Sequence, residues 1–536
     1  MSTAARRTSP LQGVVQLTRL VARLDRVRIL CWVAGITALL IVSTESIKGL
    51  YRTPVEYLQY SQLVRGNTAL IVQAGPGYGL DNPTLGSVVM NEAGIWTIIA
   101  VAVMSVFMVV RHTRAEEESE RAELIRSAPV GRHAQLAAAL LGTLAANLAI
   151  TVCIVVSFAA TGLPLDGSVA FATAVFFAGA VFAAIAAVTA QVASGARAAT
   201  ALGMGAIAIA FVLRAIGDVG DGQLSWFSPI GWAQAIRAFA DERWWVLVMP
   251  ISAGCAGVAL ALILQMRRDL GAGLISQRPG RAEALPGFSN PVALAGHLHR
   301  PTIIGWTVAL ALFGFFYGIV ADQAESILEG NPEMVDYLSV LGTGSLTDAF
   351  LATSMLLMGL LATAYAVSAV LRLRTEEIAL RADVILATPT SRRTWMGSHL
   401  LAAAGGTVVA MTIAGVAVGA GFASVTGEFG QIPRMLAAAL AMVPAVLVVA
   451  GFTSALYGLA PKWSLLAWGF FVFVVVVGLL QPILHLPQLV LDLSPFQHVP
   501  ALPADRFQLT PIVLLLVAAA ALGGVGVAAF RRRDVG

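Results

Sequence analysis

Apolar residues in this chain come in long, almost unbroken runs, set apart by short intervals of charge. A run such as Leu465–Leu480, LLAWGFFVFVVVVGLL, is apolar on every side of a helix, the pattern of a segment surrounded by lipid or protein. The runs are close to 20 residues long, the length a helix needs to cross a bilayer core of roughly 30 Å. They predict helical spans starting near residues 29, 93, 136, 168, 197 and 244, and again near 302, 349, 397, 432, 463 and 510. Helices are expected because lipid offers the backbone no hydrogen bonds. The expected fold is therefore an all-α polytopic membrane protein of about twelve spans, six and six.

Before the first run, Val14, Leu17, Leu20, Val21 and Leu24 share one helical face, and Arg19, Arg23 and Arg26 lie on the opposite one. That segregation predicts an amphipathic helix lying flat at the headgroups. The spread of Arg6, Arg7, Arg19, Arg23, Arg26 and Arg28 does not fit a cleavable signal peptide.

Composition agrees with the pattern. Hydrophobic residues make up 58% of the 536 and charged ones only 12%, about half the share usual in a soluble domain. The mean hydropathy is +0.81. Most of the 34 Lys and Arg residues fall in segments that share one side if both termini are cytoplasmic, which sets the expected orientation. The opposite side holds the acidic run from Asp322 to Asp348, which has no Lys or Arg. A net charge of +4 reflects this bias and does not point to nucleic acid. Cys31, Cys153 and Cys255 stand far apart, without metal spacing, and read as small buried hydrophobes.

One charged passage is written twice. RAEEESERAELIRSAPVGRH (Arg114–His133) aligns without a gap on RTEEIALRADVILATPTSRR (Arg374–Arg393). Arg114 meets Arg374, Glu116 and Glu117 meet Glu376 and Glu377, Arg121 meets Arg381, Glu123 meets Asp383, and Pro129 meets Pro389. Arg26 and Trp32 likewise resemble Arg300 and Trp306, and the passage from Ser228 resembles the one from Ser494. Two tandem six-span halves follow, related by a pseudo-twofold axis along the membrane normal. The expected boundaries are a cytoplasmic N-terminus over 1–28, a first half over 29–266, a linker over 267–300, a second half over 301–530 and a basic tail over 531–536. Within each passage, Glu117 to Arg121 and Glu377 to Arg381 have the four-residue spacing of helical ion pairs. A repeated charged knob suits docking on a pair of identical partners.

The chain's only lysines, Lys48 and Lys462, do not sit in a GxxxxGK[ST] phosphate loop, so the expectation is a chain that is not itself an ATPase or another enzyme. The span centres are nearly bare of charge, which lowers the ion-coupled reading. Glu45, Arg214 and Asp218 near the expected outer ends fit snorkelling or local pairing. His112, His133, His297, His299, His485 and His498 fall at span edges or in loops, where an interfacial role is expected.

RHTRAEEESERAEL with APVGR, its copy RLRTEEIALRAD with ATPTSRR, and the six-plus-six duplication resemble the permease subunits of ABC-2-type exporters. The likeness is to the fused twelve-span group of polyketide-antibiotic exporters and multidrug efflux permeases of actinobacteria. It implies a bacterial inner-membrane transport subunit powered by two copies of a separate P-loop ATPase, which bind the ATP and Mg2+, with no cofactor on this chain. It implies an elbow helix over residues 11 to 28 and coupling helices carrying Glu116, Glu117, Arg121, Glu123, Glu376, Glu377, Arg381 and Asp383. It also implies a route for a hydrophobic small molecule along the first, second and fifth spans of each half, where Met104, Phe107, Met108, Phe211, Met355 and Met358 are apolar candidates. One departure is Glu120, where the family pattern has a glycine before the arginine, so equal docking strength is not implied. An ion-coupled multidrug carrier and a drug-sensing membrane module are the alternatives.

Overall fold

The computed structural model describes residues 9–65, 68–119, 121–269, 271–275, 290–321, 346–484 and 487–533. Their regular structure is helical, with no strand among the described residues. Among the described residues, eleven helices are long and apolar enough to cross a membrane. The chain is an all-α polytopic membrane protein. The run expected to start near 463 forms the helix Leu466–Leu484, whose apolar stretch Leu466–Leu479 is shorter than those eleven. Glu120 and the acidic run from 322 to 345 lie outside the described residues.

The chain divides into two compact units, Met1–Gly280 and Arg281–Gly536. In the first, the main helices are α1 (Val14–Leu50), α2 (Leu85–Glu118), α3 (Ala134–Ala160), α4 (Leu165–Val192), α5 (Ala196–Val219) and α6 (Val248–Met266). In the second they are α7 (Pro291–Ala321), α8 (Leu346–Ile378), α9 (Arg392–Thr426), α10 (Gln431–Leu459), α11 (Leu466–Leu484) and α12 (Leu509–Arg532).

Each unit packs its helices in the same internal order. In the first unit α1 packs on α3, α3 on α4, and α4 on both α2 and α6; in the second, α7 packs on α9, α9 on α10, and α10 on both α8 and α12. The second helix of each unit is central. The most apolar window of α2 is 72% buried and that of α8 is 78%, against 17% for α1 and 11% for α12. Lipid gives apolar helices no hydrophobic reason to associate, so close backbone approach through small residues has to hold them. A Cβ on Gly318 would stand 2.1 Å from the Val418 carbonyl, and one on Gly458 would stand 2.3 Å from that of Gly526.

The expected flat elbow over 11–28 is not a separate helix. α1 runs unbroken for 37 residues, about 55 Å at the usual rise, and so outreaches the hydrocarbon core. The physical reason is that no Gly or Pro occurs between Val14 and Ala34 to interrupt it. Its N-terminal part is also held from the side. Asp25 is fully buried and accepts hydrogen bonds from Arg28 at 2.7 Å and from His112 at 2.5 Å, with Arg111 3.1 Å away. The chain just before α1 is hydrogen-bonded to the end of the first charged passage, Gly131 N to Gln12 O and His133 N to Pro10 O.

One more histidine departs from an interfacial role: His299 is buried, in contact at 3.0 Å with the buried His399, which is not among those expected at an interface. Arg214 does not snorkel. It is fully buried, donates to the carbonyls of Ile71 and Val72, and pairs with Asp218. Cys31 and Cys255 are exposed rather than buried, on the helix faces that carry Val27 and Ile251.

Candidate functional site

The two charged passages begin where a central helix leaves its bundle. In the first unit the last turns of α2 are π-helical over Arg111–Ala115, and α2 stops at Glu118. Ser119 leaves helical geometry, and a short helix, Arg121–Arg126, restarts beyond it. In the second unit Leu380 takes a left-handed conformation, φ 57°, and the helix restarts as Arg381–Leu386. Because each helix is broken before its arginine, the four-residue pairs expected from Glu117 to Arg121 and from Glu377 to Arg381 do not form. The arginine reaches the preceding glutamate instead. Arg121 lies 3.9 Å from Glu116, and Arg381 donates to Glu376 at 2.6 Å. Arg372 adds a second ion pair to Glu376 at 3.3 Å.

That rearrangement leaves Glu117 and Glu377 to distant partners. Arg268, just beyond α6, grips Glu117 with a two-pronged contact, Nη2 to Oε1 at 2.6 Å and Nη1 to Oε2 at 2.8 Å. Arg114 donates to the same carboxylate at 2.7 Å and to the carbonyls of Ser194, Gly271 and Ala272. Arg268 also donates through Nε to Gln191, near the end of α4, at 2.6 Å. All of this is out of water: the Arg114 side chain is 1% exposed, and those of Glu117 and Arg268 are 5%.

In the second unit Arg533, the residue after α12, pairs with Glu377 and donates to the carbonyl of Tyr457, near the end of α10. The Tyr457 hydroxyl donates to Glu377 at 2.7 Å. The Arg533 guanidinium also lies over the rings of Tyr457 and Phe530. This site is wetter, with Arg533 16% and Glu377 20% exposed. Among the described residues each unit thus has the same junction: the end of its second helix, the end of its fourth, and an arginine that follows its last.

What faces water is different. In the second passage Ile378, Leu380 and Val384 are 70%, 65% and 72% exposed, beside the exposed Arg381 and Asp383. Within Arg381–Leu386, Ala382 is buried and Ile385 and Leu386 pack partly against the core; Ala122, the counterpart of Ala382, is buried too. In the first passage Arg121 and Glu123 are exposed, while the carboxylate of Glu118 accepts from the backbone N–H of Ala196 and so caps α5. The expected coupling residues therefore separate into an inward set, with Glu117 and Glu376 nearly out of water and Glu116 and Glu377 partly so, and an outward set, Arg121, Glu123, Arg381 and Asp383.

The candidate route residues are placed as follows. Met104, Met108, Met355 and Met358 lie in the buried cores of their units. Phe107 is exposed, and Phe211 is partly buried under the Arg214 guanidinium at 4.7 Å.

Each unit is a packed helical bundle with a charged junction, and the relatives decide what kind of membrane protein this is. The chain is 41% identical over 99% of its length, and 97% of the relative's, to the multidrug efflux system permease protein Rv1217c of Mycobacterium tuberculosis. It belongs to this multidrug efflux permease family. Residues 288–531 also match the family model described as the C-terminal domain of the multidrug efflux system permease Rv1217c. The permease is thus a membrane-embedded transport subunit rather than an enzyme. Its junction arginines gave no local signal in the sequence. Each does, however, stand just after the last apolar run of its half, and that shared position is what could have found them.

Proposed function

We propose that this permease exports hydrophobic or amphipathic drugs across the bacterial inner membrane, with both termini cytoplasmic. Two copies of a separate P-loop ATPase, carrying the ATP and Mg2+, dock on the two charged passages. The two six-span halves are duplicates, and ATP binding favours one arrangement of them over the other. The observation that carries this reading is the bare apolar tip of the second passage. Ile378, Leu380 and Val384 are exposed among Arg374, Arg381, Asp383, Arg392 and Arg393, too charged a setting for the hydrocarbon core. A tip that is apolar, held in a left-handed turn at Leu380 and ringed by charge suits insertion into a partner's groove.

The test is co-purification from the native membrane, comparing wild type with Leu380→Glu/Val384→Glu. A P-loop ATPase at about two copies per chain, lost in the variant, is the expected result. A wild-type chain that purifies alone overturns the docking assignment. Ion coupling is the second reading, favoured by the buried Asp25–His112 and His299–His399 pairs. It predicts drug efflux that persists without any ATPase and stops when the proton gradient is collapsed.

A further inference from the structure

In both passages a well-paired charge points away from the outer face. Glu117 and Glu377 stand at aligned positions in the two passages and make no use of the outer face. Each holds an arginine from beyond the last helix of its own unit, Arg268 and Arg533, across 151 and 156 residues of chain. Each arginine in turn holds the end of the fourth helix, at Gln191 Oε1 in one unit and the Tyr457 carbonyl in the other. The side chains at the fourth helix differ, an amide in one unit and a phenol in the other, yet both junctions close over the same three elements.

We infer that Arg268 and Arg533 are positioning residues that lock the coupling passage of each unit to its fourth and last helices. A displacement of the passage is thereby carried into the bundle rather than absorbed by the loop. Two features of the chemistry support a transmitting joint over a merely stabilising one. The Arg268 guanidinium forks onto both oxygens of Glu117, and the Arg533 guanidinium spreads its two Nη atoms over Glu377 and the Tyr457 carbonyl, so each fixes direction as well as distance, which a lysine's single ammonium does not. And the helix breaks at Ser119 and Leu380 fall just beyond Glu117 and Glu377. Beyond those breaks each passage is a short separate helix, so a push on the tip reaches the bundle through the glutamate that precedes the break.

The inference rests on the docking reading for the source of the push, so the experiment separates the two. The wetter junction is the one to perturb, because its variants can fold. Arg533→Glu, Arg533→Lys and the exchange Glu377→Arg/Arg533→Glu are purified as full chains with the ATPase that accompanies wild type. Hydrogen–deuterium exchange is followed over 374–386, 453–460 and 526–533, without nucleotide and with ATP plus vanadate. In the resting state Arg533→Glu is expected to speed exchange in all three segments by about tenfold or more. The charge exchange and Arg533→Lys are expected to restore much of that protection.

With ATP and vanadate, wild type is expected to change exchange in all three segments, and Arg533→Glu in the passage alone. Arg533→Lys separates position from charge: its protection should return while the ATP-driven change in 526–533 stays weaker than in wild type. Unchanged exchange in Arg533→Glu overturns the joint. So does an ATP response in that variant that still spreads to 453–460 and 526–533. If wild type carries no ATPase, the docking reading and the transmission both fail, and the resting-state comparison still decides whether Arg533 locks the three segments.

Discussion

Replacing Glu117 by alanine tests how much of the first unit hangs on one buried carboxylate. Glu117 accepts three N–H bonds, from Arg114 at 2.7 Å and from Arg268 at 2.8 and 2.6 Å. Its loss leaves two guanidinium groups almost wholly out of water with their shared counter-charge gone. Breaking one partner of a buried pair in this way costs about 3–5 kcal/mol. At about 1.4 kcal/mol per factor of ten, the opened form of this end of the unit rises by roughly a hundredfold to a few thousandfold. Glu377→Ala is the internal control. Its pair is several times more solvated, water replaces part of what is lost, and the cost should be about 1–2 kcal/mol. The assay is exchange of the backbone amides in 110–119 and 266–275 for the first variant and in 374–386 for the second, in purified protein in lipid nanodiscs. If Glu117→Ala opens its segment no more than Glu377→Ala opens its own, the assignment of stability to the buried fork is wrong.

Other expectations follow from single observations. Gly167→Ala should destabilise the first unit by about 1–3 kcal/mol, because its Cβ would stand 2.2 Å from the Phe239 ring, and Phe239→Leu should relieve it in a thermal-shift comparison. Leu380→Gly removes the strain of a leucine at φ 57° and should leave thermal stability unchanged or raise it by up to about 1 kcal/mol, while weakening ATPase co-purification because an apolar tip residue is gone. Tyr51 is pushed up to about 12 by burial, reinforced by the charge of Glu92, and Tyr60 is raised by the same causes. A phenol that ionises later when folded contributes stability that is complete below the unfolded value near 10 and is lost as pH rises from there towards 12. Ultraviolet titration at 295 nm should therefore show late-titrating tyrosines, two fewer of them in Tyr51→Phe/Tyr60→Phe.

The helices were legible because lipid imposes one requirement on a span, apolar length, and that requirement is written locally. The repeated charged passage was legible for the same reason, since Arg114–His133 and Arg374–Arg393 can be compared letter by letter. What could not be read was which charges face inward. Helical spacing predicted Glu117 with Arg121, but the breaks at Ser119 and Leu380 depend on how the chain leaves the bundle, and no Gly or Pro announces them. The partner that wins, Arg268, is 151 residues away and becomes a neighbour only once α4 and α6 have packed. Asp25 illustrates the same limit. It sits among arginines expected at the headgroups, and its burial requires His112 from the end of α2.

The unequal burial of the two junctions bears on what a transporter can do with each. The Glu117 fork is dry, is reinforced by Arg114 and its three carbonyl contacts, and gains a further tie where Glu118 caps α5. To open it exposes several buried charges together, so this junction should move as one body with its bundle. The Glu377 junction keeps one arginine, one phenol and access to water, and the aligned position to Glu118 is the exposed Ile378, which caps nothing. If both passages are pushed by equivalent partners, the second has the smaller barrier to re-forming its contacts during a cycle. Charge reversal should then give opposite phenotypes in the two units. Arg268→Glu should prevent accumulation of folded permease, whereas Arg533→Glu should accumulate in the membrane and fail in transport. The measurements are membrane abundance by immunoblot and drug resistance of cells expressing each variant. Equal abundance with equal loss of resistance would mean that burial does not separate the roles of the two arginines.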